Sequence, residues 1–139
     1  MEENSEQIGK EVIINYIKAF NNRDYIGMAD LFNFPHIRFA NEKVGVISRE
    51  EYLKSQNKVS ELLHKEGWDH TQIKKIETIQ NGPSKSHYKI HFIRYDKNSK
   101  IIHDFTTLWI VTKLDNHWGI QFRSSFLISN AATFGKSID

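Results

Sequence analysis

Cysteine is absent from this 139-residue chain, which excludes disulfides, thiolate metal centres and a cysteine nucleophile. That absence fits a reducing compartment, and the cytoplasm is the expected location. Proline occurs only at Pro35 and Pro83, and no Pro- or Gly-rich linker, repeat or low-complexity stretch divides the sequence. A single domain is expected, with a core over about 8–128 and a tail at 129–139. No apolar run approaches the roughly 20 residues that cross a bilayer. The acidic start, with Glu2, Glu3 and Glu6, lacks the basic opening and apolar centre of a signal peptide. A formal charge of +2, with no Lys/Arg run longer than two, provides no basic stripe, so neither nucleic acid nor membrane is an expected partner. The chain also lacks a Gly-x-Ser-x-Gly elbow, a phosphate-binding glycine loop and a His-Glu-x-x-His helix.

What the chain does have is a run of aromatic strands behind a helical first half. Val12, Ile13, Tyr16, Ile17 and Phe20 recur at helical spacing and end at Asn21-Asn22. Asp24 can cap a short second helix carrying Tyr25, Met28, Leu31 and Phe32, and Pro35 closes the helical section. Residues 36–47 read as a small hairpin turning at Asn41-Glu42, with Ile37, Phe39, Val44 and Val46 on its apolar face. Ser48 and Glu51 form a capping box for a third helix, which Gly67 can terminate.

Strand spacing then takes over. Residues 71–80 form a strand whose irregular isoleucines suggest a bulge, and Asn81-Gly82-Pro83 ends it. Tyr88, Ile90 and Phe92 alternate with polar residues in the next strand. A turn at Asp115-Asn116 sets Lys113 opposite Trp118, Val111 opposite Ile120, Trp109 opposite Phe122 and Phe105 opposite Phe126. A loop at 97–100 independently pairs Phe92 with Phe105, Ile90 with Thr107 and Tyr88 with Trp109. Both turns put the same apolar face on one side of the sheet. The opposite face carries Lys89, His91, Ile93, Asp104, Thr106, Leu108, Ile110, Gln121, Arg123 and Leu127. This mixture predicts an isologous homodimer through the outer face.

The order of helix, short helix, hairpin, long helix and long sheet resembles the nuclear transport factor 2-like superfamily, including SnoaL-like domains. The resemblance covers about 8–128. It rests on Ala19-Phe20-Asn21-Asn22-Arg23-Asp24, on Asp30-Leu31-Phe32, and on the closing segment Trp118-Gly119-Ile120-Gln121-Phe122-Arg123-Ser124-Ser125-Phe126. It implies an α+β cone, in which a curved antiparallel sheet wraps around three helices from the N-terminal half and leaves a pocket on its concave face. The superfamily hosts isomerases, cyclases, dehydratases and non-catalytic binding modules, so fold alone does not assign function. In its isomerases and cyclases an acid near the end of the first strand often acts as base. Here Phe39 takes the inward position that such an acid needs.

The pocket is therefore expected to be lined by Tyr16, Phe20, Phe39, Tyr88, Phe92, Thr107, Trp109, Phe122 and Ser124, with Trp68 near its open end. Such a wall suits a small, flat, hydrophobic ligand. His103, on the apolar side near Arg94, is the candidate catalytic residue; Asp104 points to the other face and is not its partner. With Ile37 and Phe39 inward, His36 and Arg38 point away from the pocket. His87 and His91 lie about 13 Å apart along a strand, too far to share a metal, so neither a metal nor a cofactor is expected. The leading function is small-molecule binding. The alternatives are an isomerase, cyclase or dehydratase using His103 or a pocket tyrosine, and a protein-interaction module.

Overall fold

A computed structural model describes residues 3–127; the expected tail at 129–139 lies outside them. Helix α1 (Ser5–Asn21) begins where the Asn4 side chain accepts the amide of Gln7, and helix α2 (Tyr25–Asp30) begins at Asp24 in the same manner. Helix α3 (Arg49–Lys65) has the complete Ser48/Glu51 capping box. It ends in a Schellman motif: Gly67, at φ 90°, donates to His64, and Trp68 donates to Leu63.

Six strands follow the order β2-β1-β6-β5-β4-β3 in one sheet. They are β1 (Phe32–Ala40), β2 (Lys43–Ile47), β3 (His70–Gly82), β4 (Lys85–Tyr95), β5 (Ile101–Leu114) and β6 (His117–Ser125). All neighbours are antiparallel except β1 and β6, which run parallel. The chain is thus an α+β cone with its core between the helices and one sheet face. Ile13, Tyr16, Met28, Phe32, Tyr52, Tyr88, Ile90 and Trp109 meet there.

The Asn21-Asn22-Arg23-Asp24 segment fastens the end of α1 to the sheet. Asn21 exchanges two 2.8 Å hydrogen bonds with the backbone of Thr71 on β3. Arg23 lies 4.5 Å above the Trp68 ring and donates to the Asp69 carbonyl. At the other end of α1, Gly9 permits the Tyr88 hydroxyl to come under the helix and donate to the Glu6 carbonyl at 2.8 Å. A Cβ on Gly9 would stand 2.0 Å from that hydroxyl oxygen.

The β4–β5 register follows the predicted pairing: Phe92 with Phe105, Ile90 with Thr107 and Tyr88 with Trp109. The β5–β6 hairpin keeps it near the turn, with Lys113 opposite Trp118 and Val111 opposite Ile120. Beyond Gln121 the register slips, and Ile110 pairs with Phe122 and Trp109 with Arg123. Gln121 is the extra residue of a bulge, and one residue of slip exchanges the two faces. Phe122 and Ser124 consequently turn outward, while Arg123 turns inward. Phe126 lies past the strand end and is 85% exposed, so it does not oppose Phe105.

The parity of β1 also differs from expectation. Leu31 and Phe32 leave the second helix because the Leu31 carbonyl accepts the amide of Ile120, so the strand begins before Pro35 rather than after it. Phe32, His36 and Ala40 are buried and set the inward positions, with Arg38 between the last two. Ile37 and Phe39 face outward, where the Phe39 ring meets Phe122 edge-on at 5.3 Å.

Candidate functional site

A cavity opens between α1 and the concave face of the sheet. It measures about 50 Å³ inside and about 470 Å³ with its mouth included. One water needs roughly 10–15 Å³ of such space, so the interior holds several waters or a small polar group. Tyr16, Ile17 and Phe20 supply the helical wall; Phe92, Phe105, Thr107 and Trp109 supply the sheet. Ring centroids of Phe92 and Trp109 stand 5.2 Å apart, those of Tyr16 and Trp109 5.4 Å, and those of Phe92 and Phe105 5.8 Å.

Five of the expected lining residues are therefore brought together: Tyr16, Phe20, Phe92, Thr107 and Trp109. Four are not. Phe39, Phe122 and Ser124 are on the outer face for the parity reasons above. Tyr88 is buried in the core beside Ser5 and Glu6, away from the cavity wall. Trp68 packs on Phe20 and closes a neighbouring cleft with Leu63 and Val59 rather than this one.

In place of those side chains the cavity holds three arginines: Arg38 from β1, Arg94 from β4 and Arg123 from β6. Arg38 and Arg123 are direct partners across the parallel β1–β6 pair, so their side chains leave the same face side by side. Ser125 and Leu127 complete this end, with Thr71 across from Arg94. Leu127, assigned from sequence to the outer face, is buried and inward. The signal for the arginines was present in Arg38 and in Arg123-Ser124-Ser125, but taking the nearby phenylalanines as inward reversed both strands.

Arg123 is held by aromatic rings and by a histidine. Its Nε donates to His36 Nε2 at 3.0 Å, and its Nη1 to the Tyr16 hydroxyl at 3.4 Å. The guanidinium lies 4.9 Å above Phe32 and 5.7 Å from Trp109. Because His36 accepts at Nε2, its proton is on Nδ1, which donates to the Ile120 carbonyl at 3.2 Å. Burial, then Arg123, hold the His36 pKa well below the usual value, and the ring is neutral. Tyr16 shares a 3.3 Å hydrogen bond with Tyr52, whose pKa burial raises well above the usual phenol range.

Arg38 is pulled down to about 9, first by burial and then by Arg123, with Tyr16 opposing. Burial brings Arg94 down to about 10 against the favourable charge of Glu66. Both remain cations at neutral pH. Among the described residues no carboxylate forms an ion pair with Arg38 or Arg123. Nε and Nη1 of Arg94 are sealed from solvent without a hydrogen-bond partner among those residues. His103 does not line the cavity. It stands across from Arg94 with Nε2 3.9 Å from Glu66, and burial, then Arg94, lower its pKa.

Among the described residues no three histidine or carboxylate side chains converge as a metal-ligand cluster, and no helix is long and apolar enough to cross a membrane. The cavity can instead hold a polar group through guanidinium donors while stacking an apolar body on its rings.

The same architecture recurs in solved structures of low sequence identity. A cystatin-like-fold protein of unknown function from Nostoc punctiforme superposes with a TM-score of 0.72 at 10% identity, covering 94% of this chain and 97% of that one. An NTF2-like protein with a cystatin-like fold from Novosphingobium aromaticivorans gives 0.68 at 12% identity, over 92% and 86%. A ketosteroid isomerase-like protein from Erwinia carotovora atroseptica gives 0.64 at 16%, over 91% and 99%. These likenesses concern the fold. No curated protein matches the sequence. Residues 5–123 match the family profile described as NTF2-like protein (DUF6841), and the chain belongs to that NTF2-like family.

Proposed function

We propose that this protein binds a small molecule with a flat apolar body in the cavity between α1 and the concave sheet. The observation that carries this is the aromatic wall of Phe20, Phe92, Phe105 and Trp109 around an interior of about 50 Å³. Binding is favoured over proton-transfer catalysis because, among the described residues, no Asp, Glu or His lines the wall. A general base must reach the proton it removes. An isomerase, cyclase or dehydratase would have to rely on Tyr16, whose hydroxyl is already engaged by Arg123 and Tyr52.

Native mass spectrometry of protein taken directly from its cells should show a retained small molecule. Trp109→Ala should reduce retention about tenfold by removing a wall ring. Unchanged retention in Trp109→Ala would remove the cavity from consideration.

The outer face supports homodimer formation. Register aligns Val46, Ile37, Phe122 and Ile110 in one row across β2, β1, β6 and β5. The inversion that empties Phe39 and Phe122 from the cavity makes this face more apolar than the sequence suggested, which strengthens the case for a second copy over an unrelated partner.

A further inference from the structure

The binding reading accounts for the rings but leaves the arginines without a purpose. Three guanidiniums on one cavity wall repel one another, and like charges in direct register across strands are unfavourable. Desolvating a cation without a partner is among the more expensive arrangements a fold can contain. Arg123 is stabilised by His36, Tyr16 and the faces of Phe32 and Trp109, none of which carries negative charge. Arg38 has no hydrogen bond or ion pair among the described residues that compensates its placement. Arg94 has Glu66 as its favourable charge, yet keeps two sealed nitrogens unpartnered. A neutral ligand seated here would remove the remaining water from these groups and worsen the imbalance.

Neutral His36 belongs to the same design. By accepting from Nε it fixes one edge of Arg123 while adding no charge, leaving Nη2 without an assigned partner among the described residues. A carboxylate in that place would satisfy Arg123 outright and cancel its attraction for a ligand.

We propose that the molecule bound in this cavity is an organic acid, whose carboxylate is seated among Arg38, Arg94 and Arg123 while its flat body lies against the aromatic wall. This rests on the binding reading above and adds the ligand's charge and chemical class. Arginine donors suit a planar carboxylate in both geometry and charge. The interior of about 50 Å³ is large enough for that head group. The apolar body then extends along Phe105 and Trp109 toward the mouth.

Titration of the full-length protein with benzoate, and separately with uncharged benzamide, tests the proposal. Benzoate should bind about tenfold more tightly or better, and Arg38→Gln and Arg94→Gln should each remove most of that preference, read as the ratio of the benzoate and benzamide affinities in the same variant. Equal affinity for benzoate and benzamide, or a preference that survives both substitutions, overturns the acid while leaving small-molecule binding in place. A second measurement needs no ligand. Arg38→Met should raise the melting temperature of the empty protein by about 3 °C, because it removes an uncompensated charge. A lowered melting temperature would mean that the guanidinium is already compensated within the fold, and would overturn the assignment.

Discussion

His36 has no exposed surface, and both ring nitrogens are committed, one to the Ile120 carbonyl and one to Arg123. Protonating it would place a second cation against the Arg123 guanidinium and remove the acceptor that orients it. Its pKa is lowered in the folded protein, so the unfolded chain takes up the proton first as pH falls. Stability from this residue is therefore complete above the ordinary histidine value of about 6.5 and is lost as pH falls below it toward the folded value. His103 and His87 are lowered too and add the same sign. Urea unfolding at about pH 7 and about pH 5 should show the wild type losing more stability than His36→Gln, with the excess limited to about 1.4 kcal/mol per pH unit. Parallel pH profiles in the two proteins would show that His36 is not the neutral, buried ring described here.

At the scale of elements, β6 passes close against β1 at Gly119. A Cβ on Gly119 would meet backbone atoms of Phe32 and Asn33 at 2.7–2.9 Å, and backbone cannot swing aside as a side chain can. Gly119→Ala should destabilise the fold by about 1–3 kcal/mol in urea melts. Gly82→Ala, whose nearest neighbour would be the Lys85 carbonyl at 3.6 Å, should change stability by less than about 0.5 kcal/mol. Similar losses for both would contradict the close crossing. This region also marks the limit of what the sequence revealed. Tyr88, Ile90 and Phe92 alternate with polar residues against Phe105, Thr107 and Trp109, so hydrophobic alternation together with the short loop at 97–100 was enough to read the β4–β5 register. The caps at Asp24, Ser48 and Gly67 were readable because each rests on a local hydrogen bond or a positive φ. In β6, Phe122 and Arg123 are adjacent, and the choice between them depends on whether Gln121 is paired or bulged. Thr112 donates to the Gln121 side chain and that side chain donates to the Pro35 carbonyl, both tertiary contacts that a local pattern does not encode.

Across the whole molecule, the sheet separates two surfaces, with a charged, ring-lined interior on one face and the Val46–Ile37–Phe122–Ile110 row on the other. Sedimentation at micromolar concentration should give twice the monomer mass, and Phe39→Asp should halve it, since Phe39 is 39% exposed and touches Phe122. A monomeric wild type, or a variant that remains dimeric, would reject the outer face as the contact. The Gln121 bulge sets the composition of both surfaces at once. Deleting that one residue would remove the bulge yet keep Phe122 opposite Ile110 and Arg123 opposite Trp109, whereas drawing Gln121 into the ladder would swing Phe122 into the cavity and send Arg123 to the surface. A lineage carrying this cone could thus exchange an arginine-lined interior for a greasy one, and thin the apolar row outside, by pairing a single residue of β6 that is bulged here. Relatives should accordingly be compared by whether the residue in the place of Gln121 is paired or bulged before their side chains are aligned.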